Sequence, residues 1–415
     1  MIKYHEFNLK NGLHVIVHQD KSTPIVAFNL LYNVGAKHEL ESRTGFAHLF
    51  EHLMFGGSEN IPSFDGPLQE VGGENNAFTS NDLTNYYITL PKESLETAFW
   101  LESDRMKSLA FTPKSLEVQR QVVIEEFKQR YLNQPYGDIY LLLRPLAYLK
   151  HPYKWATIGK EVAHIEQANM EEVKAFFFKH YRPNNAILSI AGDVSIDEIK
   201  QLCDKWFSDI PAGEKVKPEW PAEENQIQAR SLVVERDVPQ NAIYKAYHMV
   251  DRLHPDYYAT DMITDILSQG NSSRFYQELI KNQKLFSEVD AYITGDIEAG
   301  LLIVAGKLNP TVTMEQAEAA IDSELEKLVN DLVSKEELQK VKNKVTASNE
   351  FGKTNVLNKA MGLAISALIE SPDLINTELD GYLKVTAEDI KRVAKTIFQK
   401  NNCSTLYYKS KNTST

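Results

Sequence analysis

The stretch His48-Leu-Phe-Glu-His52 lies in a run, residues 45–55, whose apolar spacing predicts a helix. Ser42 or Thr44 can cap the start of this helix, and the glycines at 56 and 57 can end it. Residues spaced at i, i+3, i+4 and i+7 form one face of a helix, so the run is predicted to bury one side. The apolar residues at these positions are Phe46, Leu49, Phe50 and Leu53.

The opposite face of this helix carries His48, Glu51 and His52. At ~100° per residue the two histidines are only ~40° apart around the helix axis. Two imidazoles one turn apart can hold one zinc ion, and Glu51 is close enough to take a proton from a water at that ion. The order H-x-x-E-H is the reverse of the H-E-x-x-H metalloprotease motif. The alternative is a polar helix face with two solvated histidines.

The composition is that of an ordinary globular protein with more than one domain. A chain of 415 residues exceeds the usual size of one domain, and 43% hydrophobic residues can build a large core. The net charge of −12, from 45 basic and 57 acidic residues, argues against a nucleic-acid-binding surface. It says little about a peptide substrate, although an acidic interior could favour basic peptides.

The two cysteines and residues 1–10 indicate in which cellular compartment the protein is expected. Cys203 and Cys403 are the only cysteines and show no C-x-x-C spacing, so we predict two small buried hydrophobes and a reducing compartment. Residues 1–10 contain no apolar segment typical of a signal peptide, which predicts a cytoplasmic location, or a periplasmic one if a signal was removed. No run of 18 apolar residues occurs, so no membrane-spanning helix is expected.

The order of predicted elements indicates two related halves. Near the end of each half, a predicted helix is followed by Asn-Asn, at 184–185 and at 401–402, and then by a predicted strand. This hints at a duplicated α+β domain of ~200 residues. The Pro-, Glu- and Lys-rich stretch between the halves predicts a linker. We therefore expect a first domain at 1–212, a linker at 213–226 and a second domain at 227–415.

A catalytic zinc usually has three protein ligands, so the two histidines need a third partner. The best candidate lies in the predicted helix that contains residues 120–127. Glu125 points away from the apolar side of this helix, whereas Glu126 lies on its border, so we choose Glu126. The alternative is an ordinary surface acid. The positions that mark the apolar side are Leu116, Val122, Val123, Ile124 and Phe127.

Several specific motifs occur together in the first half of the chain. They are His48-Leu-Phe-Glu-His52 with Leu53-Met-Phe-Gly-Gly-Ser58, Gly72-Gly-Glu-Asn-Asn-Ala-Phe-Thr79 with Asp82-Leu-Thr-Asn-Tyr86, Val122-Val-Ile-Glu-Glu126, and Tyr181-Arg-Pro-Asn-Asn185 through Ala191-Gly-Asp193. In these motifs the chain resembles the pitrilysin/insulinase family of zinc peptidases, most of all its short bacterial members related to mitochondrial processing peptidase. The second half matches this family mainly in length and element order.

The resemblance implies a fold and a metal site. It implies two homologous α+β domains, each a mainly antiparallel sheet flanked by helices, that face each other across a cavity. It makes His48, His52 and Glu126 the ligands of one zinc ion per chain, and Glu51 the general base.

The resemblance also implies a substrate-binding strand and a supporting residue. The stretch with Asn76, Ala77 and Phe78 resembles the family's edge strand beside the zinc, whose backbone pairs with an extended peptide. The alternative for Asn76 is a turn residue. The family often carries a glutamate seven residues before the third ligand. Here that residue is Gln119, which can still hydrogen-bond a ligand but brings no charge.

The leading functional hypothesis is a zinc endopeptidase that acts on extended or unfolded peptides. The alternative is a non-catalytic assembly or processing-complex subunit of the same family, although such relatives typically lose the zinc motif that this chain keeps. A zinc-stabilised binding protein would require four closed ligands, and only three candidates are found.

The second half departs from the family's pattern. Peptidases of this family usually place an Arg and a Tyr, seven residues apart, where they reach the substrate carbonyl. By alignment from Ser272-Ser-Arg-Phe-Tyr, these positions fall on Ile280 and Ser287, which cannot replace a guanidinium and a phenol. We therefore expect a heterodimer with a homologous subunit that lacks H-x-x-E-H and supplies both groups. A homodimer is the alternative, and neither nucleic acid nor membrane is an expected partner.

Overall fold

A computed structural model of the chain describes residues 1–215 and 220–411. The chain divides into two compact units. The first consists of Met1–Arg130, Trp155–Trp220 and Glu350–Thr377, and the second of Tyr131–Lys154, Pro221–Asn349 and Glu378–Thr415. Part of the predicted linker at 213–226, residues 216–219, lies outside the described residues. Within the described ranges, no helix combines the length and the apolar composition that are needed to cross a bilayer.

Each unit contains one sheet. The first has the strand order β1-β2-β6-β3-β5-β4 and the second β7-β11-β8-β10-β9. The strands are β1 (His5–Asn8), β2 (His14–Gln19), β3 (Ile25–Tyr32), β4 (Glu74–Thr79), β5 (Thr84–Pro91), β6 (Ala186–Gly192), β7 (Arg230–Arg236), β8 (Ala242–His248), β9 (Phe286–Ile293), β10 (Leu301–Leu308) and β11 (Cys403–Ser410).

The helices are α1 (Phe46–Leu53), α2 (Asp65–Glu70), α3 (Leu95–Lys107), α4 (Pro113–Phe127), α5 (Ile139–Ala147), α6 (Val162–Glu166), α7 (Met170–His180), α8 (Ile196–Trp206), α9 (Tyr257–Ser268), α10 (Met314–Asn330), α11 (Lys335–Gly352), α12 (Val356–Ile369), α13 (Leu374–Lys384) and α14 (Ala387–Ile397). Two π-helical segments, Lys128–Leu132 and Tyr276–Asn282, accompany them. Strand β1 and the helices α6 and α13 were not predicted from the sequence.

The order of five strands in the first sheet, β2-β6-β3-β5-β4, recurs in the second sheet, and β1 is an additional strand. β2 pairs with β6 in parallel and β7 with β11 in parallel, whereas the other strand pairs in both sheets are antiparallel. The repeated Asn-Asn has the same role in both units. Asn185 donates to the carbonyl oxygen of His180 near the end of α7, and Asn402 donates to that of Ile397 at the end of α14. The predicted class of two related α+β domains with mainly antiparallel sheets is confirmed.

Two helices pack in the unit that the other half of the chain forms. α5 comes from the first half of the sequence and packs in the second unit, where it contacts β7, β8 and β11. α12 comes from the second half and packs in the first unit on β3 and β6, where Ala360 lies close to Ala27 and Ala191. The boundaries expected at 212 and 227 would put α5 in the first domain and α12 in the second, whereas α5 packs in the second unit and α12 in the first.

Candidate metal centre

The apolar face of α1 anchors this helix in the first unit. Phe46, Leu49, Phe50 and Leu53 are all buried, as their helical spacing predicts. The Phe50 ring stacks on the ring of Phe176 with centroids 5.1 Å apart. Because this face is fixed by packing, the opposite face presents its three polar side chains from a rigid element.

The start of α1 differs from the prediction. The N-cap residue is Gly45 in the left-handed conformation, and it makes no side-chain cap, so the expected caps Ser42 and Thr44 were wrong. The Glu39 carboxylate accepts hydrogen bonds from the amides of Gly45 and Ala47, both at 2.8 Å. A side chain from the preceding turn therefore satisfies amides that the helix itself leaves unpaired.

We expect Gly45→Ala to destabilise the protein more than Gly72→Ala. Both glycines have positive φ, +87° and +72°, a conformation that costs other residues about 1–3 kcal/mol. A Cβ at position 45 would lie 2.7 Å from the Ile158 oxygen, whereas one at position 72 would meet nothing within 4 Å. Thermal unfolding of both variants measures the difference, and equal losses would show that the close contact at Gly45 is unimportant.

Three of the predicted site residues come together between α1 and α4. The Nε2 atoms of His48 and His52 lie 3.6 and 3.3 Å from the same oxygen, Oε2 of Glu126. All three side chains are largely shielded, with 13%, 24% and 18% of their surface exposed. In the described part of the chain, no other group of three His, Cys, Asp or Glu side chains brings its ligand atoms within 4.8 Å of one another.

The donor set fits a zinc ion in spacing and in charge. Two atoms that each lie about 2.0–2.1 Å from one tetrahedral ion are about 3.4 Å apart, close to both distances to Glu126 Oε2. Burial lowers the pKa of His48 to about 4, which favours the neutral imidazole that binds metals. The hydrogen bond with His52 lowers the pKa of Glu126, which favours its carboxylate form.

The choice between two adjacent acids on α4 agrees with their placement. Glu125 is exposed and pairs with Lys128, whereas Glu126 turns toward the two histidines. The expectation for Val122 was wrong, because 44% of its surface is exposed. Arg130 was not predicted as a site residue, although its guanidinium lies 2.9 Å from Oε1 of Glu126.

Glu51 lies on α1 between the two histidines, and its carboxylate is partly buried. Burial raises its pKa, while a hydrogen bond from Thr79 and the proximity of His52 lower it. The Thr79 hydroxyl donates to Glu51 Oε2 at 2.6 Å. Thr79 lies in one of the first-half motifs, but its contact with Glu51 was not predicted. No spacing rule could have found it, because the two residues belong to different elements.

The predicted substrate-binding residues lie on an exposed edge. Among the strands of the described residues, β4 is the last of the first sheet and pairs only with β5, so its outer edge has no strand partner there. Asn76 and Phe78 are exposed, and Ala77 is half-buried. The Asn76 side chain accepts a hydrogen bond from the Ala77 amide at 2.8 Å. Asn76 is thus a strand residue and not part of a turn.

Gln119 lies near the end of α1. It is half-buried on α4, and its Nε2 would be 3.8 Å from a Cβ added at Gly56. This places it in the region between α4 and the residues that follow His52. Its role in supporting a metal ligand stays a prediction.

The positions aligned with the family's Arg and Tyr lie in the second unit. Ile280 packs against the hydrophobic core of that unit, and the Ser287 hydroxyl donates to Gln240. Arg274 forms a two-point ion pair with Glu337, at 2.9 and 2.7 Å. Neither aligned position offers a guanidinium or a phenol, and the nearby Arg274 is already engaged.

Two family models match the chain. The model of the insulinase family, peptidase family M16, matches residues 14–137. The model described as the peptidase M16 inactive domain matches residues 167–345. The first range includes all four residues of the candidate metal centre.

Two relatives cover most of the chain. The zinc protease PqqE of Helicobacter pylori is 31% identical over 98% of this chain and 93% of its own length. The mitochondrial-processing peptidase subunit beta of Dictyostelium discoideum is 22% identical over 94% of this chain and 85% of its own length.

Solved structures show the same fold. The crystal structure of a protease from Helicobacter pylori has a TM-score of 0.93 and 28% identity, and the match covers 99% of this chain and all 100% of that one. Pitrilysin has a TM-score of 0.77 and 19% identity, and the match covers 98% of this chain and 45% of that one.

Proposed function

The chain belongs to the insulinase family of peptidases, family M16, and on this premise we propose that it is a zinc-dependent endopeptidase for extended or unfolded peptides. The observation that carries the proposal is the convergence of His48 and His52 on one oxygen of Glu126, at 3.6 and 3.3 Å. Glu51 lies on the same helix face and is not part of this cluster, so it is available as a base.

The residues of the site divide the chemistry between them. A zinc ion held by His48, His52 and Glu126 would supply a Lewis acid that polarises a peptide carbonyl and makes water more acidic. Glu51 takes the proton of the attacking water and passes it to the leaving amine. Burial raises the pKa of Glu51, which makes its carboxylate a stronger base.

The open edge of β4 supports an extended peptide as the substrate. A peptide that adds to this edge would use the backbone of Asn76, Ala77 and Phe78, and it would take the place of the Asn76 side chain at the Ala77 amide. Backbone pairing depends on shape more than on side chains, so we propose broad sequence specificity. A strand that is paired on both sides inside a folded protein has no free edge for this pairing.

Metal removal tests the proposed function directly. We expect the purified protein to contain zinc and to cleave a quenched fluorescent peptide. Treatment with a zinc chelator should abolish cleavage, and added zinc should restore it, because the three ligands leave one position of the ion open. Cleavage at an unchanged rate after the zinc is removed, with the metal content measured, would contradict the proposal.

We further propose that the active form is a heterodimer. The supporting observation is the absence of suitable donors at Ile280 and Ser287, and one relative is a subunit of the mitochondrial processing peptidase. A homologous subunit without H-x-x-E-H would supply the Arg and the Tyr. Loss of such oxyanion donors costs roughly 10²–10³ in rate. A homodimer is the second candidate for the assembly.

A reconstitution experiment tests the partner. We expect weak cleavage by this chain alone and a rise of roughly 10²–10³ when the homologous subunit is added. Equal full activity with and without that subunit would exclude the heterodimer. If the zinc-bound chain is inactive both alone and with the homologous subunit, the alternative function of a non-catalytic subunit is favoured. The match of the second half to the inactive-domain model supports this alternative.

We propose the cytoplasm as the compartment, because Cys203 and Cys403 are both free thiols and buried, which fits a reducing environment. The fold is shared with a periplasmic protease of Escherichia coli, PqqL, at a TM-score of 0.79 and 19% identity, over 98% of this chain and 47% of that one. Fractionation of cells that express the natural gene distinguishes the two locations.

A further inference from the structure

We propose that Thr79 is a positioning residue that orients the Glu51 carboxylate and ties it to the peptide-binding strand β4. This inference rests on the proposed function. The Thr79 hydroxyl donates a hydrogen bond of 2.6 Å to Oε2 of Glu51. In the parts of the chain that the structure describes, it is the one hydrogen-bond donor to this carboxylate.

The hydrogen bond restricts the rotation of a long side chain. Glutamate has three rotatable side-chain bonds, and Glu51 is not among the buried residues that anchor α1. With Oε2 engaged by Thr79, the other oxygen of Glu51 stays available to accept a proton. A base is efficient only when its accepting oxygen lies within hydrogen-bond reach of the proton it removes.

Thr79 itself is held firmly. It is β-branched, so its hydroxyl has few orientations, and it pairs with Thr84 at the end of the β4–β5 hairpin. The amide of Ser80, the next residue, donates to the Leu83 carbonyl oxygen at 2.9 Å, and the Ser80 carbonyl oxygen accepts from the Ala36 amide at 3.1 Å. A donor on a rigid hairpin is better suited to orientation than one on a mobile loop.

The geometry of a strand allows β4 to contact Glu51 through a side chain and a peptide through its backbone. Side chains project from the two faces of a sheet, whereas the backbone groups that pair with another strand lie in its plane. On one face of β4, Thr79 contacts α1 and Asn75 donates to Asp65 of α2 at 2.8 Å. Within the part of the chain that the structure describes, the outer edge of the same strand has no strand partner. A peptide on this edge and the base on α1 are therefore positioned by one strand.

Substitution of Thr79 tests the proposal in the full-length protein. Thr79→Val keeps the shape and the strand preference but removes the hydroxyl. We expect kcat to fall roughly 10-fold, as the loss of one hydrogen bond to a charged group permits, with KM within about twofold and unchanged zinc content. Thr79→Ser keeps the hydroxyl and should recover most of kcat. Thr79→Ala, with a smaller side chain, should match the valine variant.

Thr89→Val is the matched control. Thr89 is also half-buried on the β4–β5 pair, but it lies opposite Glu74 at the other end, so its replacement should leave kcat and KM unchanged. Parental kcat in both Thr79→Val and Thr79→Ala would overturn the inference. So would a loss that appears only in KM, or a serine variant as slow as the valine variant.

Comparison of the Glu51→Gln and Thr79→Val variants distinguishes a wrong role for Thr79 from a wrong role for Glu51. If Glu51→Gln is inactive and Thr79→Val cleaves at the parental kcat, only the role of Thr79 is wrong. If Glu51→Gln cleaves at the parental rate, the base assignment fails, and the positioning role fails with it.

Discussion

Glu51→Gln is expected to lower peptide hydrolysis by ~10²–10⁴-fold while the zinc content stays that of the parent protein. Glutamine has nearly the same shape as glutamate but cannot accept a proton at neutral pH. Glu51 is not one of the three side chains whose ligand atoms converge, so its replacement leaves the metal site intact. The measurement pairs a peptide-cleavage assay with metal analysis of the same sample.

Two outcomes would contradict the prediction for Glu51→Gln. Cleavage at the parental rate would show that another group acts as the base. A protein that is inactive because it has lost its zinc would show that Glu51 supports the metal. Thr79 retains a hydrogen-bond acceptor in this variant, since the amide oxygen of glutamine can replace Oε2, so the β4 hairpin should remain folded.

Glu126→Gln is expected to lower zinc affinity by more than the ~10–100-fold that the loss of an outer-shell partner costs. The amide keeps an oxygen at the site but removes the negative charge that balances the ion. It also leaves Arg130 without the carboxylate that lies 2.9 Å away, which adds positive charge beside the metal. Peptide cleavage should fall together with zinc occupancy.

Glu125→Gln is the matched control for this prediction. Glu125 is adjacent in sequence and carries the same charge, but it is exposed and pairs with Lys128 at 2.8 Å. Its variant should bind zinc as the parent does. Zinc competition with a chelator of known affinity measures all three proteins, and equal affinities for the two variants would reject Glu126 as a ligand.

Periodicity in the sequence was enough to predict the local geometry of the site. The spacing of Phe46, Leu49, Phe50 and Leu53 determines which side of α1 is buried, and hence that His48 and His52 share the other side. The same reasoning on α4 separated Glu126 from Glu125. The repeated Asn-Asn before a strand also indicated the duplication, because each asparagine closes the end of the preceding helix.

Contacts between distant elements could be decided only by the tertiary structure. Helical periodicity says which face of α1 is buried, but not that Glu39 caps its start or that Thr79 reaches Glu51 across 28 positions. The exchange of α5 and α12 between the units is of the same kind. Such contacts depend on how separate elements pack, and local spacing in the sequence carries no information on that packing.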